Sequence, residues 1–342
     1  MARATAKHRT IVPIITLTSG RQFAAQDGET VLEAALRSGV TLEYSCRTGR
    51  CSSCKSQVLS GSTAPRHAEL GLSTEERTAG WILSCVSSAT TDLALEVQDL
   101  GDVKLEPART LPCRIRSLER LAADVMKVTL RLPPNSGFAY LPGQYIDVIS
   151  QGGLRRSYSV ANAASASQQI ELHVRQVDGG AMSQYWFDQA KPNDLLRLNG
   201  PLGTFFLRDT AGLDLMLLAT GTGIAPIKAM LEGLADAPAA QLPRSITVFW
   251  GGRMAPDLYW DPATLAIDPR FIPVLSRADA GWTGARGYVQ QAVLAANPDL
   301  GNAAVYACGS DAMIQSARAD LLAAGLPKYR FHSDAFVSSS EA

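Results

Sequence analysis

Hydrophobic positions change rhythm twice along the chain, and each change marks a different kind of layer. Short apolar runs from Ile11 to Leu17 and from Gln22 to Ala25 flank Ser19-Gly20, the pattern of a β-hairpin. Thr30 then stands as a cap before Val31, Leu32, Ala35 and Leu36, which recur at helical spacing until Gly39. A short strand is expected around Lys55 to Leu59, and Leu93, Leu95 and Val97 alternate as a closing one. Asp99 to Thr110 has no periodicity and reads as a linker.

Beyond Pro112 strands dominate: Arg114 to Leu118, Val125 to Leu132, Tyr145 to Ile149, Ser157 to Ala161 and Ile170 to Gln176. Short strands broken by Pro and Gly predict a small antiparallel barrel, with one helix from Ser183 to Ala190. The rhythm changes again at Leu213. Apolar runs at Leu213–Ala219, Ser245–Trp250, Phe271–Leu275 and Ala303–Ala307 alternate with helical stretches through Leu234, Tyr288–Ala296 and Asp311–Ala324. That alternation predicts a parallel sheet of βαβ units. The fold class expected is multi-domain α+β and α/β, with domains over residues 10–100, 108–208 and 212–336.

Composition narrows the function. The 342 residues carry 32 Lys/Arg and 32 Asp/Glu, so the basic excess of a nucleic-acid binder is missing. No apolar run approaches the roughly 18 residues of a membrane span, which speaks against a membrane partner. Six cysteines, four of them in one pattern, fit a reducing compartment, and a cytoplasmic location is expected.

That pattern is Cys46, Cys51 and Cys54, separated by four and then two residues, with Cys85 further on. The intervening residues are mostly small: Ser45, Thr48, Gly49, Ser52 and Ser53 let a loop curl tightly and leave backbone N–H groups for sulfur. A four-cysteine zinc site usually shows two short pairs, whereas here the second half is a single cysteine. The C-x4-C-x2-C…C spacing resembles that of plant-type ferredoxins and implies a 2Fe–2S cluster on these four thiolates. Two strands, a helix and further strands in about ninety residues match the β-grasp outline of that family. Multidomain relatives commonly carry glycine after the second ligand, where this chain has Ser52.

Arg156-Ser157-Tyr158-Ser159 follows Pro142-Gly143-Gln144 in the middle of the predicted barrel. A flat aromatic suits an isoalloxazine ring, a hydroxyl suits its N5, and a guanidinium suits phosphate. In this order the segments resemble the flavin motif of the ferredoxin–NADP reductase superfamily, which makes Arg156, Tyr158 and Ser159 flavin contacts. Glycines leading into a helix, as in Gly179-Gly180-Ala181-Met182-Ser183, favour a pyrophosphate and hence FAD. The resemblance adds His173 and Arg175 to Gly180, Met182 and Ser183 as FAD candidates. Thr220-Gly221-Thr222-Gly223-Ile224-Ala225-Pro226 resembles the nicotinamide turn of the same superfamily, ending in Pro226 where the common dinucleotide fingerprint has glycine.

The resemblance further implies that Cys308 and Gly309 lie near the nicotinamide and that Phe336 stacks on the flavin. It also implies that Ser276, Arg277, Arg286 and Tyr288 hold a 2′-phosphate. Closer three-domain relatives often prefer NADH, so NADH and NADPH both stand. Ser159 and Cys308 are the expected catalytic residues. The three-domain order resembles two groups, the reductase components of Rieske-type ring-hydroxylating oxygenases and CDP-6-deoxy-3,4-glucoseen reductase. It implies an electron-transfer reductase passing electrons from NAD(P)H through FAD and the cluster to a partner protein. The leading expectation is a Rieske-type oxygenase; the alternative is an iron–sulfur dehydratase of deoxysugar synthesis. A cofactor-binding redox sensor without turnover is the remote alternative.

Overall fold

The computed structural model describes residues 12–101, 103–165 and 167–337. It divides into two compact units, the first ending at Leu105 and the second beginning at Glu106. Ile11, expected to open the first hairpin, lies outside the described residues.

The first unit is a five-stranded mixed sheet in the order Gln22–Ala24, Ile14–Leu17, Leu93–Glu96, Lys55–Ser60, Trp81–Leu83. Ile14–Leu17 runs parallel to Leu93–Glu96, the only parallel pairing of this sheet among the described residues. The helix Val31–Arg37 buries Val31, Leu32, Ala34 and Ala35 against it. A capping box starts that helix: Thr30 Oγ1 accepts from Glu33 N at 3.2 Å, and Glu33 accepts in return from Thr30 N at 2.9 Å. Ser73 and Glu76 form a second box ahead of a short helix, Thr74–Thr78, that the apolar pattern did not predict. Much of the expected linker belongs to this unit. Asp99 bridges Leu42, Leu100 N donates to Thr41 O, and Leu105 packs on the core.

The second unit holds two layers. Six antiparallel strands run in the order Arg155–Ser159, Tyr145–Ile149, Leu195–Leu202, Arg109–Ala122, Val125–Arg131, Gln169–Arg175. The outer two meet at a bridge between Val160 and Leu172, so the sheet curls into a barrel around Ile115, Val128, Leu130, Ile146 and Leu198. The expected helix is present but starts earlier and is mixed in type: Ala181–Gln184 passes into a π-turn, Tyr185–Gln189, that drives Trp186 into the barrel.

The other layer is a parallel six-stranded sheet: Ala285–Arg286, Arg270–Leu275, Ser245–Gly252, Asp214–Thr220, Ala303–Ser310, Phe331–Phe336. Its central strands bury the apolar runs Leu215–Ala219 and Ala303–Cys308 because helices such as Ile224–Ala235 and Asp311–Ala323 cover them. The chain builds outward from Asp214–Thr220 on one side, then returns to add Ala303–Ser310 on the other. Strand order therefore reverses between these two, and such a switch point opens a crevice at the carboxyl ends of the strands. Among the described residues no helix is long and apolar enough to cross a membrane.

Candidate functional site

Three places carry the predicted chemistry. The first is the loop from Cys46 to Cys54. Arg47, Gly49 and Ser52 all have positive φ (58°, 74° and 63°), which winds the loop tightly enough to turn its thiols inward. The sulfurs fall into two pairs. Cys54 Sγ lies 3.2 Å from Cys85 Sγ, and Cys46 N donates to Cys51 Sγ at 3.4 Å while Thr48 N donates to Cys46 Sγ at the same distance. Contact with Cys51, aided by N–H groups of Thr48 and Arg50, brings the Cys46 thiol down to about 5. Cys54 likewise lowers Cys85, while Cys51 and Cys54 are pushed up by their partners and by burial.

Among the described residues no three His, Cys, Asp or Glu side chains converge on one ion position. Two thiol pairs with N–H donors aimed at sulfur fit a dinuclear cluster, one pair to each iron, better than a single tetrahedral zinc. Ser52 Oγ donates to Gly71 O at 2.6 Å, tying the loop to the segment that follows.

The second place is the barrel edge Arg155–Ser159. Side chains alternate across it. Arg155 and Ser157 are pinned by Asp147, with Arg155 also donating to Asn199 at 2.7 Å. Arg156 and Tyr158 share the opposite face, half-buried, the arrangement a flavin ring and its phosphate need. Tyr158 OH accepts from Trp186 Nε1 at 3.0 Å, and burial pushes its hydroxyl up to about 12, so the ring is a neutral platform. Ser159 is buried in register with Tyr145. Of the other FAD candidates, Gly180 opens the helix without a side-chain cap, Met182 is in the barrel core, and Ser183 Oγ accepts from Val177 N at 2.7 Å.

The third place is the switch-point crevice. The turn Gly221–Gly223 follows Asp214–Thr220 directly, and Pro226 occupies the first turn of the next helix, where its missing N–H costs nothing. Space is the constraint here. A Cβ at Gly223 would lie 2.2 Å from Cys308 O, and one at Gly309 2.2 Å from Thr220 Oγ1. Thr220 Oγ1 also accepts from Ser310 N at 3.1 Å, and Thr222 is buried beside Gly223. A Cβ at Gly221 would meet Arg175 Nη1 at 2.7 Å. Arg175 belongs to the barrel, where Asp124 orients it at 2.8 Å, so the barrel and the Gly221–Gly223 turn meet at this guanidinium. A backbone cradle without side chains, closed by a cation, fits a dinucleotide pyrophosphate.

Other expected residues fall elsewhere. His173 is fully engaged inside the protein: Nδ1 with Tyr259 OH at 3.2 Å and Nε2 with Glu171 at 2.9 Å. Cys308 is buried completely, and burial holds its thiol well above the usual range. Arg286 is spent on the carbonyls of Ala278, Asp279 and Trp282. Ser276 and Arg277 are exposed at the carboxyl end of their strand, Tyr288 is exposed at a helix start, and Phe336 ends the last strand in register with Ser310.

Sequence reasoning missed several partners. Arg253 is exposed beside Arg277, whose N–H donates to its carbonyl at 2.8 Å. Trp250 Nε1 donates to Gly221 O at 3.0 Å and fixes the turn. Lys228 joins Glu171 at 3.2 Å, Glu232 at 2.6 Å and Ala161 O at 3.0 Å, linking the helix to the barrel. Only the i,i+4 spacing of Lys228 and Glu232 was a visible signal.

Three family models match successive parts of the chain. Residues 15–90 match the 2Fe-2S iron-sulfur cluster binding domain, 112–207 the oxidoreductase FAD-binding domain, and 217–319 the oxidoreductase NAD-binding domain. The chain is 44% identical over 326 residues to the CDP-6-deoxy-L-threo-D-glycero-4-hexulose-3-dehydrase reductase of Yersinia pestis, covering 94% of this chain and 97% of that one. It is 33% identical to reductase component 1 of a Comamonas terephthalate 1,2-dioxygenase, covering 93% and 95%. Among solved structures, an Amycolatopsis cytochrome P450 reductase superposes with a TM-score of 0.75 at 31% identity, covering 96% and 100%.

Proposed function

The chain belongs to the three-domain reductases that join a 2Fe–2S ferredoxin domain to FAD- and NAD-binding oxidoreductase domains, and from that premise we propose residue roles and a terminal acceptor. It is an NAD(P)H-dependent oxidoreductase that passes electrons to a partner protein. When bound, the dinucleotide supplies an electron pair, FAD divides it, and the cluster passes electrons on singly.

In this reading Gly221 and Gly223 give the dinucleotide its close backbone approach, and Arg175 neutralises its phosphates. Tyr158 and Arg156 seat the flavin, with Ser159 at the same strand end. Cys46, Cys51, Cys54 and Cys85 hold the cluster. Cys308 shapes the floor of the crevice through its carbonyl, which leaves no room for a side chain at Gly223. The observation that carries the reading is Arg175 reaching from the barrel over Gly221. Six unbridged cysteines support a reducing compartment such as the cytoplasm.

The proposed acceptor is the terminal Rieske-type oxygenase of an aromatic-compound hydroxylating system. A second reading, an iron–sulfur dehydratase of nucleotide-linked deoxysugar synthesis, is favoured by the higher identity of its reductase, 44% against 33%. Supplying the loaded protein and NAD(P)H with either a purified Rieske-type oxygenase or the dehydratase, and following product formation, decides between them. Turnover with the dehydratase alone would remove the oxygenase reading, and no reduction of any acceptor would remove both.

A further inference from the structure

Charge in the ferredoxin-like unit is segregated along the sequence, although the Arg66 guanidinium lies beside Gly28, which stands between Asp27 and Glu29. Residues 11–100 contain seven Lys/Arg and ten Asp/Glu, yet residues 44–71 contain four of the cations, Arg47, Arg50, Lys55 and Arg66, against Glu69 as the one acid. The remainder therefore has three basic and nine acidic residues. Glu69 does not offset the cations at the surface, because its Oε1 accepts from Leu83 N at 2.7 Å and Ser87 Oγ at 2.6 Å. Lys55 is neutralised by Glu76. Arg47, Arg66 and His67 remain exposed.

These residues border the cluster loop. Gly71 N donates to Gly49 O at 2.8 Å, and a Cβ at Gly49 would lie 2.6 Å from Ala68 O, so the segment carrying Arg66 and His67 is laid along the loop carrying Arg47. Leu70, 61% exposed, adds a large apolar side chain to the same segment. Cys46, next to Arg47, is half-buried, whereas Cys51, Cys54 and Cys85 are buried. The ligand nearest solvent thus lies under the cationic rim.

We propose that this rim, centred on Arg47 and Arg66, is a docking surface for an acidic one-electron acceptor protein. The proposal rests on the cluster being the exit of the relay. Complementary charge accelerates encounter and fixes orientation, with a steep dependence on salt. A rival account lets the same cations act on the cluster itself, whose four thiolates make it anionic, or on its supply of electrons.

Opposite-signed probes separate these accounts. Wild type and the double variant R47E/R66E, both fully loaded, are assayed with acidic cytochrome b5, basic cytochrome c and ferricyanide. Docking predicts that in the variant kcat/KM for cytochrome b5 falls about ten-fold at low salt while that for cytochrome c rises, with ferricyanide unchanged. Raising salt to about 1 M erases both differences. Immobilised cytochrome b5 retains wild type at low salt and releases the variant, a readout independent of turnover. R47Q/R66Q gives smaller shifts of the same signs if the reversal impairs folding. Both cytochromes moving in the same direction, no change in either, or failure of wild type to bind cytochrome b5 overturns the proposal. Loss of ferricyanide activity in wild type would instead overturn the reductase reading.

Discussion

Ser52 shows how one residue balances two opposed effects. Its φ of 63° is a conformation that costs a non-glycine residue about 1 kcal/mol. Its hydroxyl offsets that cost by donating to Gly71 O. Ser52→Ala keeps the strain and loses the bond, so the midpoint for thermal bleaching of the cluster should drop, by about 1 kcal/mol in stability. Ser52→Gly loses both together and should stay near wild type; equal loss in the two variants would mean the hydrogen bond is irrelevant. On the parallel sheet, Arg277 stands beside Arg253 with Ser276 at the same strand end. Arg277→Ala should lower kcat/KM for NADPH about ten-fold and leave NADH almost unchanged. Equal effects on both dinucleotides would dismiss a 2′-phosphate contact. Ser276 and Arg277 were singled out by resemblance alone, whereas the cysteine loop around Ser52 was legible in its spacing. His173 was not, since what occupies its ring is Tyr259, 86 residues away.

Among the elements, the helix Ile224–Ala235 and the barrel strand Gln169–Arg175 are joined through a buried polar set. Lys228 and His173 both meet Glu171, and Tyr259 completes it. Burial lowers the His173 pKa and outweighs the opposing pull of Glu171. Burial alone would raise Glu171, but His173 and Lys228 hold it below the usual carboxylate value. The sign follows from linkage. An imidazole kept neutral in the fold takes up its proton more readily when unfolded, near pH 6.5. Below that pH the unfolded chain binds more protons and stability falls; depression of Glu171 adds loss of the same sign at lower pH. The thermal midpoint of the second unit should therefore decline between about pH 7 and pH 5, and His173→Gln should flatten the upper part of that decline. An unchanged slope in the variant would place the titration elsewhere. Elements with one period were legible, but Leu195–Leu202 was not, because Asn199-Gly200-Pro201 reads as a turn although tertiary pairing extends the strand through it. The last strand, Phe331–Phe336, hid for the opposite reason: Asp334 is polar yet buried.

For the whole molecule, the order of electron flow predicts a split phenotype. Cys85→Ser removes one ligand of the Cys54–Cys85 pair, so reduction of cytochrome c should fall to background while NAD(P)H-dependent ferricyanide reduction at the second unit persists. Surviving cytochrome c reduction would mean that electrons leave without passing the cluster. The three successive domains suggested by the sequence pattern each match a family model, and Arg175, His173 and Lys228 knit barrel and parallel sheet into one compact unit. Between that unit and the first, the exposed residues Glu106, Pro107 and Ala108 separate Leu105, packed on one core, from the strand beginning at Arg109. Because donor and acceptor sites lie on one chain, their encounter does not depend on the dilution of the protein. Internal hand-over is then first order, and severing the chain at these three residues would convert it into a bimolecular encounter that slows as the halves are diluted.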